Sequence, residues 1–217
     1  MSTSDWDELE PPEGTPRAHT ENIAVGTLLW RVHSADPRRG ADTLNPTIPK
    51  PPYGGRFDCP SAEHHYSYSY FGDTSAVALL EVIGRSLRPS TRPRIVRRVV
   101  LEGKVLSQVR VVQPIPVALL HGSHLHHIGQ TARLTKTPSR MYPITRLWSS
   151  AVLRGTADAQ GLKYRSRHDE DQFCYLLTGP KDTTLDSIEA VERIDLESPA
   201  GIVSVKHELL RYNAVLI

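Results

Sequence analysis

Five polar side chains stand in stretches of the sequence where apolar or small residues predominate. Arg31 lies in "LLWRVH", and Arg56 follows two glycines in "YGGRFD". Tyr70 belongs to "YSYSYFG", Glu81 to "SAVALLEVIGR" and Ser166 to "GLKYRSRHD". An arginine binds phosphate oxygens through paired, permanently charged donors, and a carboxylate can stabilise positive charge that develops on a reacting carbon. These residue types are suited to an anionic, phosphate-bearing substrate.

Glu81 admits two interpretations. The apolar residues at positions 79, 80, 82 and 83 leave little of the surrounding helix pattern polar, which favours a carboxylate enclosed in a pocket. Arg85 follows four residues later, and an ion pair at that spacing on a solvated face would contribute only a few tenths of a kcal/mol, about 0.2–0.5. The pattern alone leaves both interpretations open.

The elements that would position these residues begin with a strand over residues 25–33, rich in strand formers. "HYSYSYFG" alternates aromatic and small residues and predicts a strand with its tyrosines on one face. "SAVALLEVIGRSL" predicts the clearest helix, capped by Asp73, Thr74 or Ser75. "YPITRLWSSAVLR" predicts a second helix, with a proline near its start. Between the first two strands, "YGGRFD" reads as an extended piece whose glycines let the backbone approach another group closely.

Further strands are predicted along the second half of the chain. "RIVRRVVLEGKVLSQVRVV" indicates two strands around a Gly-Lys turn, and "GLKYRSRHD" and "QFCYLLTGP" indicate two more. "SIEAVERIDL" and "GIVSVKHELL" are strand-like pieces whose type the pattern does not fix. Strands and helices do not alternate regularly. We therefore expect a single α+β domain with mixed or antiparallel strands and a few helices.

The length of 217 residues suits one domain with a sizeable core. Residues 1–24 are acidic, contain prolines and lack apolar periodicity, so they predict a disordered or loosely attached lead-in rather than a secretory signal. The domain is then expected over residues 25–217.

Composition narrows the class of protein. The sequence has no apolar run long enough to span a membrane, and its formal net charge is +2. Basic residues are concentrated in residues 84–100, but part of that stretch alternates as a half-exposed strand would, which makes nucleic-acid binding the weaker interpretation. Cys59 and Cys174 are the two cysteines, a number that favours a reducing cytoplasm over a disulfide framework.

Established phosphate-loop, serine-hydrolase and zinc-protease motifs are absent from the sequence. The histidines of "HGSHLHH" (His121, His124, His126 and His127) suggest a metal site at first sight. They occupy one short segment, however, and neither cysteine has a C-x-x-C partner. We expect no bound metal.

Four segments together resemble the RES-domain family, which is named for an arginine, a glutamate and a serine. They are "LLWRVH", "YGGRFD", "YSYFGDTSAVALLEVI" and "GLKYRSRHD", in the expected order over roughly residues 25–180. The resemblance implies a fold akin to ADP-ribosyltransferases.

The resemblance also implies roles for individual residues. Arg56, Glu81 and Ser166 match the arginine, glutamate and serine and are the implied catalytic residues. Ser149 and Ser150 are rival serines, but they lie in a helical pattern where small residues serve packing.

Three further residues are implied to bind substrate. Arg31 is a second basic group, and Tyr70 matches a tyrosine that family members place beside the substrate. Tyr53 begins "YGGRFD" and is the third. Ser166 is expected to hydrogen-bond the ribose or the nicotinamide amide.

The implied activity is that of a bacterial toxin that consumes NAD⁺. It would cleave the nicotinamide–ribose bond as an NAD⁺ phosphorylase or NAD⁺ glycohydrolase, with NAD⁺ as substrate, inorganic phosphate or water as acceptor and no further cofactor. A cognate antitoxin is the implied protein partner, a membrane is not, and assembly into a homo-oligomer stays open. Two alternatives remain: a mono-ADP-ribosyltransferase that modifies a protein, and a non-catalytic RNA-binding module.

Overall fold

A mixed eight-stranded β-sheet is the framework that positions the site. The computed structural model describes residues 9–45, 54–60, 66–84, 87, 90–180 and 183–217. In chain order the strands are β1 (Thr20–Ile23), β2 (Leu28–Ser34), β3 (Ser67–Gly72), β4 (Arg94–Val96), β5 (Lys104–Val111), β6 (Ile115–Leu120), β7 (Gly161–Arg165), β8 (Phe173–Gly179), β9 (Ile188–Asp195) and β10 (Ala214–Leu216). The helices are α1 (Ser75–Ile83), α2 (Ser123–His127), α3 (Arg133–Lys136), α4 (Tyr142–Gly155) and α5 (Pro199–Leu210).

The strands of the large sheet follow the order β1-β6-β7-β8-β3-β2-β5-β9. Every neighbouring pair is antiparallel except β6 and β7, which run parallel. Strands β10 and β4 form a separate two-stranded parallel sheet. The predicted α+β class with mixed strands is confirmed.

Successive residues of the central strands pack in different clusters of the core, because the side chains of a strand point alternately to opposite faces. On β8, Leu176 packs in a cluster with Trp148 of α4, whereas Leu177 packs with Val109 of β5 on the other face. Helices α1 and α5 cover a third cluster, in which Leu79, Val205 and Leu209 are buried.

The sheet opens between β2 and β3. These strands share one register pair, Trp30 opposite Gly72, while β2 runs alongside β5 for seven consecutive pairs. A Cβ atom on Gly72 would lie 2.8 Å from the backbone nitrogen of Ala78 and would prevent α1 from packing this closely on β3. Divergence of β2 from β3 therefore leaves a space at the edge of α1.

Several sequence predictions are confirmed: the strands around residues 25–33 and 66–72, both main helices, and the pair β7 and β8. Among the three suggested caps of α1, Thr74 fills the position, and its hydroxyl oxygen accepts a hydrogen bond from the Val77 amide at 3.3 Å.

Two strand-like stretches have arrangements that the sequence pattern did not fix. The stretch "GIVSVKHELL" is helical in α5, where Ser198 caps the first turn and Gly201, Val205 and Leu209 face the core at four-residue spacing. The two strands predicted around the Gly-Lys turn are present as β4 and β5, but they do not pair with each other: β4 pairs with β10, and a 3₁₀ turn over Arg98–Leu101 separates it from β5.

Part of the predicted lead-in is integrated into the fold. Strand β1 pairs with β6, and Leu9 is buried in the core cluster around α4. The Trp148 indole donates to the Glu10 carbonyl at 2.8 Å. From residue 9 onward, the expectation of a loosely attached segment is therefore wrong, while residues 1–8 lie outside the described residues.

Candidate active site

A cavity of about 490 Å³ occupies the space between β2, β3 and α1. Among the described residues, its wall contains four arginines and two carboxylates, so its charge is predominantly positive. The residues that matter for its chemistry are Arg31, His33, Arg39, Arg56, Tyr70, Glu81, Tyr142, Arg167, His168 and Cys174. A cavity of this size and polarity fits a phosphate-bearing small molecule.

Arg31 reaches the cavity from β2 and is almost completely buried, with 3% of its surface exposed. Its Nη1 donates to the backbone carbonyls of Ala41, at 2.9 Å, and Thr43, while Nη2 donates to Asn45 at 3.4 Å. Burial, with a smaller contribution from Arg39, lowers the pKa of Arg31 to about 10, so the guanidinium stays charged at neutral pH. Arg31 thus holds the 40–45 loop and presents a positive charge to the cavity.

The loop that carries Arg56 is built around a buried aspartate. Asp58 accepts hydrogen bonds from the Gly55 amide at 2.6 Å and from the Tyr70 hydroxyl at 2.7 Å. Its carboxylate also lies 3.8 Å from Nη2 of Arg146 on α4, and Nε of Arg146 donates to the Gly55 carbonyl. A Cβ atom on Gly55 would lie 2.5 Å from the Tyr70 hydroxyl, so the close approach predicted for these glycines is confirmed.

Arg56 projects from this loop rather than from a strand, so the prediction of an extended piece at "YGGRFD" is wrong for the described residues 54–58. Its Nη1 donates to the carbonyl and the hydroxyl of Thr137, at 3.0 and 3.1 Å. The guanidinium also lies over the Tyr142 ring, 5.2 Å from its centroid. These contacts direct a buried, positively charged side chain along the cavity wall.

Glu81 lies on the face of α1 that borders the cavity and is partly exposed there. The Ser166 hydroxyl donates to Oε1 of Glu81 at 2.9 Å and accepts from the His168 amide at 3.1 Å. Ser166 itself is fully buried and does not belong to the cavity wall. A bond from a hydroxyl to a charged carboxylate is among the stronger hydrogen bonds, so Ser166 fixes the orientation of Glu81.

Ser166 consequently differs from its expected role. A serine buried behind Glu81 cannot reach a ribose or a nicotinamide amide in the cavity, and its hydroxyl is committed to the carboxylate. The rival serines are buried on α4, where the Ser149 hydroxyl donates to the Arg146 carbonyl. Of the three serines, Ser166 is the one whose hydroxyl is bonded to Glu81, and the preference for it stays a prediction.

Two of the three predicted substrate-binding residues line the cavity, and the third lies outside the described residues. Arg31 and Tyr70 line the same cavity as Arg56 and Glu81, with the Tyr70 ring at the wall and its hydroxyl bonded to Asp58. Tyr53 lies outside the described residues, as does Arg85, the alternative partner of Glu81.

Two buried groups beside Glu81 remain protonated. Burial, followed by the charge of Glu81, raises the pKa of the Cys174 thiol well above its usual value. Burial is also the main reason why the pKa of Tyr164 is raised, with Cys174 and Glu81 adding to it. Cys174 is therefore not a nucleophile, since a thiol reacts as its thiolate.

His33 is a neutral imidazole in the cavity wall. Its Nδ1 lies 2.9 Å from the Ser34 carbonyl, which can only accept, so this nitrogen carries the proton and Nε2 accepts from the Ser107 hydroxyl at 2.9 Å. Burial, followed by the charge of Arg31, lowers the pKa of His33 to about 4. His33 thus adds polarity without positive charge.

The histidines of "HGSHLHH" form a different arrangement with His19. We call His19, His121, His124 and His127 the histidine cluster. The rings of His19 and His127 stack at 4.0 Å, and Nδ1 of His19 lies 2.9 Å from Nδ1 of His124. Within the described ranges, no group of three or more histidine, cysteine, aspartate or glutamate side chains is arranged to hold a metal ion.

Sequence reasoning missed Asp58, Arg146, His33 and His168. Asp58 could have been noticed because it closes the same short "GGRFD" segment, and Arg146 because it is a charged residue inside the predicted helix "YPITRLWSSAVLR". His168 stands two residues after Ser166, but no local pattern distinguishes it.

The fold and the site define an α+β protein with an arginine-lined cavity bordered by one oriented glutamate. The family model described as "RES domain" matches residues 28–197, and the chain belongs to the RES-domain family.

A chain of the crystal structure of the M. tuberculosis MbcT–MbcA toxin–antitoxin complex shares the fold. The TM-score is 0.56 at 16% sequence identity, with 89% of this chain and 92% of that chain covered. No curated protein matched the sequence. Helices with the length and apolar content needed to cross a bilayer do not occur in the described part of the chain.

Proposed function

We propose that this protein is the toxin of a toxin–antitoxin pair and that it degrades NAD⁺ by cleaving the nicotinamide–ribose bond. The acceptor is water or inorganic phosphate, so the enzyme is an NAD⁺ glycohydrolase or NAD⁺ phosphorylase. Membership of the RES-domain family supports this assignment. The observation that carries it is the placement of Glu81 on an arginine-lined cavity, with its carboxylate oriented by Ser166.

Charge complementarity fits this substrate. The pyrophosphate of NAD⁺ is a dianion, and Arg31, Arg39, Arg56 and Arg167 give the cavity several guanidinium groups to hold it. Departure of nicotinamide leaves an electron-poor, oxocarbenium-like ribose, as in glycoside hydrolysis. A preorganised carboxylate stabilises that positive charge, and Glu81 is the carboxylate in position to do so.

Aromatic rings provide the remaining contacts. Tyr70 and Tyr142 line the cavity and offer faces on which a base or the nicotinamide ring can stack. The Tyr70 hydroxyl is bonded to Asp58 and the Phe57 amide, so its ring is held in place before substrate arrives. Tyr70 therefore contributes a fixed surface and not an acid or base.

The proposed partner is an antitoxin that covers the cavity. A neighbour with the same fold belongs to a complex described as toxin–antitoxin. The simplest inhibitor would insert a segment between Arg31, Arg56 and Glu81, with a carboxylate in place of a substrate phosphate. Cys59 and Cys174 are buried and are not joined in a disulfide, which supports a reducing, cytoplasmic location.

The direct test is incubation of the purified protein with NAD⁺, with and without inorganic phosphate, followed by mass analysis of the products. We expect release of nicotinamide together with ADP-ribose or its phosphorylated form, and no inhibition by a chelator. Unchanged NAD⁺ with a correctly folded sample would remove the proposal.

The same assay separates the alternatives. Incorporation of ADP-ribose into added protein would identify a transferase that uses the same residues. An RNA-binding module would leave NAD⁺ intact and bind through exposed basic residues such as Arg92, Arg97 and Arg98, with an affinity that falls as salt increases. Toxicity in a bacterial host, relieved by the partner, tests the biological role separately.

A further inference from the structure

The C-terminal segment touches both elements that hold Glu81 in place. We call Glu208, in the last turn of α5, and Tyr212, two residues beyond its end, the C-terminal brace. Both lie beyond residue 197, where the match to the family model ends. The family resemblance therefore assigns them no role, and their contribution to the site follows from their own contacts.

Tyr212 reaches the turn that connects β7 to β8. Its hydroxyl donates a hydrogen bond to Oδ2 of Asp169 at 2.6 Å. Burial, followed by the hydrogen bond to Asp169 and the charge of that carboxylate, raises the pKa of Tyr212, so the hydroxyl keeps its proton and remains a donor. A bond from a hydroxyl to a carboxylate is among the stronger hydrogen bonds. Tyr212 therefore ties the C-terminal segment to the turn.

The backbone of Tyr212 is itself held in place. Its amide donates to the Leu209 carbonyl at 3.0 Å, and its carbonyl accepts from the guanidinium of Arg94 on β4. Asn213, the next residue, has a φ of 50°, a left-handed conformation that commonly ends a helix, and β10 follows directly and pairs with β4. Because the helix end, the arginine and the strand all hold this backbone, the phenol has a defined position.

The turn transmits this constraint to Ser166. Asp169 closes the turn, since its carbonyl accepts from the Gln172 amide at 3.2 Å, and the Ser166 amide donates to the Gln172 carbonyl at 3.0 Å. The His168 amide donates to the Ser166 hydroxyl oxygen at 3.1 Å. With its oxygen engaged in this way, the Ser166 hydroxyl donates its proton to Oε1 of Glu81 at 2.9 Å. Movement of the turn would therefore loosen the bond that orients the carboxylate.

Glu208 makes the second contact of the brace, at the start of α1. Its Oε1 accepts from the Ser75 hydroxyl at 2.7 Å, and Ser75 is the first residue of the helix that carries Glu81. Leu79 of α1 and Leu209 of α5 are buried in the same apolar cluster. One end of α5 thus contacts both the helix of Glu81 and the turn that fixes its hydrogen-bond donor.

We propose that Tyr212 is a positioning residue for catalysis: through Asp169 it holds the turn from which Ser166 orients Glu81. The inference rests on the proposed NAD⁺ cleavage and extends the determinants of that site to the C-terminal segment. Tyr212 does not belong to the cavity wall, so it acts on the geometry of the carboxylate and not on substrate binding. Its loss should therefore lower kcat and leave KM unchanged.

The test compares the NAD⁺ cleavage kinetics of Tyr212→Phe with those of the wild-type protein. Phenylalanine keeps the ring and removes only the hydroxyl. A 1 Å misplacement of a reacting group can cost about 10²-fold in rate, and a loosened support should cost less, so we expect kcat to fall about fivefold with KM unchanged. Tyr175→Phe on β8 is the matched control, because Tyr175 is a buried tyrosine outside the cavity wall and the turn, and it should change neither constant.

A double-variant cycle shows whether Tyr212 acts through Ser166. If it does, Tyr212→Phe should change kcat little in a Ser166→Ala background, where the bond to Glu81 is already lost. A purely structural role would lower kcat by the same factor in both backgrounds. Asp169→Ala removes the acceptor of the same hydrogen bond, so it should also lower kcat, and adding Tyr212→Phe to it should lower kcat no further.

Amide hydrogen exchange measures the brace without NAD⁺ turnover. The amides of His168 and Gln172 should exchange faster in Tyr212→Phe than in the wild-type protein, while the amides of β5 keep their rates. Should Tyr212→Phe not fold, Asp169→Ala and its combination with Ser166→Ala provide the same comparison.

The outcomes separate the inference from the proposed function. Wild-type kcat in folded Tyr212→Phe, equal losses in the two backgrounds, a rise in KM alone, or unchanged exchange in the turn would each overturn the role of Tyr212 and leave NAD⁺ cleavage standing. Absence of any NAD⁺ cleavage by the wild-type protein would overturn both.

Discussion

The cavity and the histidine cluster are two groups of polar side chains that the chain builds in different ways. The cavity brings together residues that are far apart in sequence: Ser166 and Glu81, which share a hydrogen bond, are 85 positions apart. Three of the four histidines of the cluster lie between positions 121 and 127. Local density of chemically capable residues is therefore a poor guide to a site in this protein.

Their surroundings differ as well. Around the cavity, three key groups have directed partners: Arg56 bonds Thr137, Glu81 accepts from Ser166, and Asp58 accepts from Tyr70. In the histidine cluster, His19 and His127 stack, the other ring contacts are edge-on, and the hydrogen bond between His19 and His124 is exposed. Preorganisation of charge distinguishes the first region, and it makes that region sensitive to single substitutions.

The largest expected effect is on stability, from Asp58→Ala. The change removes the acceptor for the Gly55 amide and the Tyr70 hydroxyl and the negative charge opposite Arg146. Breaking a buried ion pair by removing one partner costs about 3–5 kcal/mol, which corresponds to a fall in Tm on the order of 10 °C at this chain length. Thermal denaturation followed by circular dichroism measures it.

Asp58→Asn is the matched comparison for this prediction. It keeps an acceptor but loses the charge, so the fall in Tm should be smaller than for alanine. An unchanged Tm in Asp58→Ala would mean that the "GGRFD" loop is held by other contacts and that the cavity region is no more tightly built than the histidine cluster.

The second prediction concerns catalysis. Glu81→Gln keeps the shape of the side chain and should leave the fold intact. Loss of a preorganised charge at the transition state costs about 2.7–4 kcal/mol, or roughly 10²–10³ in kcat. A melt and an NAD⁺ assay on the same sample measure both quantities.

Arg85→Ala tests the other interpretation of Glu81. If Glu81 served only an exposed ion pair with Arg85, both substitutions would cost at most about 0.5 kcal/mol of stability and leave turnover unchanged. Full activity of Glu81→Gln would remove the central residue of the proposed mechanism.

Much of the fold could be predicted from local pattern, because periodicity and caps are local. Helix α1 follows from "SAVALLEVI" and its Thr74 cap. Helix α5 was not recognised because β-branched residues in "GIVSV" imitate a strand, although Ser198 and Pro199 give a helix start. Pairing of β4 with β10 could not be predicted, since it joins segments more than one hundred residues apart.

The candidate site was accessible through the family resemblance and not through spacing. The resemblance selected Arg31, Arg56, Glu81 and Ser166, which the fold brings together. It did not reveal that Ser166 lies behind the carboxylate, because its burial depends on contacts between segments that are 85 positions apart in the chain. Asp58 and Arg146 were missed for the same reason: their pairing exists only in the folded chain.

A third prediction concerns pH and stability. The pKa of His33 is lowered to about 4 in the folded protein, mainly by burial, against a usual value of 6.5. Between these values the unfolded chain binds a proton that the folded protein does not. The stabilising contribution of neutral His33 to the free energy of unfolding is therefore fully present above pH 6.5 and is lost as pH falls toward 4.

Urea denaturation from pH 7 to pH 4 measures this contribution. His33→Gln should lose less stability over that range than the wild-type protein, whatever its stability at pH 7. The pKa of His121 is lowered in the same direction, to about 4, mainly by burial. The difference between the two proteins therefore isolates His33. Parallel curves would contradict the neutral, bonded state of His33.

A smaller effect is expected from Ser166→Ala. The substitution removes a hydrogen bond to a charged group, worth about 1.5–3 kcal/mol, and frees the Glu81 carboxylate to rotate. We expect roughly a tenfold fall in kcat with little change in KM, because Ser166 positions the carboxylate and does not touch substrate. Ser166→Thr, which keeps the hydroxyl, should retain more activity. A rise in KM without a fall in kcat would instead place Ser166 at the substrate.

The smallest effect should come from the histidine cluster, and it decides whether the two regions really differ. His124→Gln removes the hydrogen bond to His19 and two ring contacts, with His19 and His121, at a partly exposed position. Surface substitutions of this kind usually change stability by no more than about 0.5 kcal/mol, and NAD⁺ turnover should be unaffected.

Addition of Zn²⁺ or of a chelator should leave the Tm of the wild-type protein unchanged. His126→Gln, on the same helix but outside the cluster, should behave in the same way. A Tm that rises with Zn²⁺ in the wild-type protein and in His126→Gln, but not in His124→Gln, would show that the cluster is a metal site after all. In that case, the contrast between a built cavity and an incidental group of rings would fail.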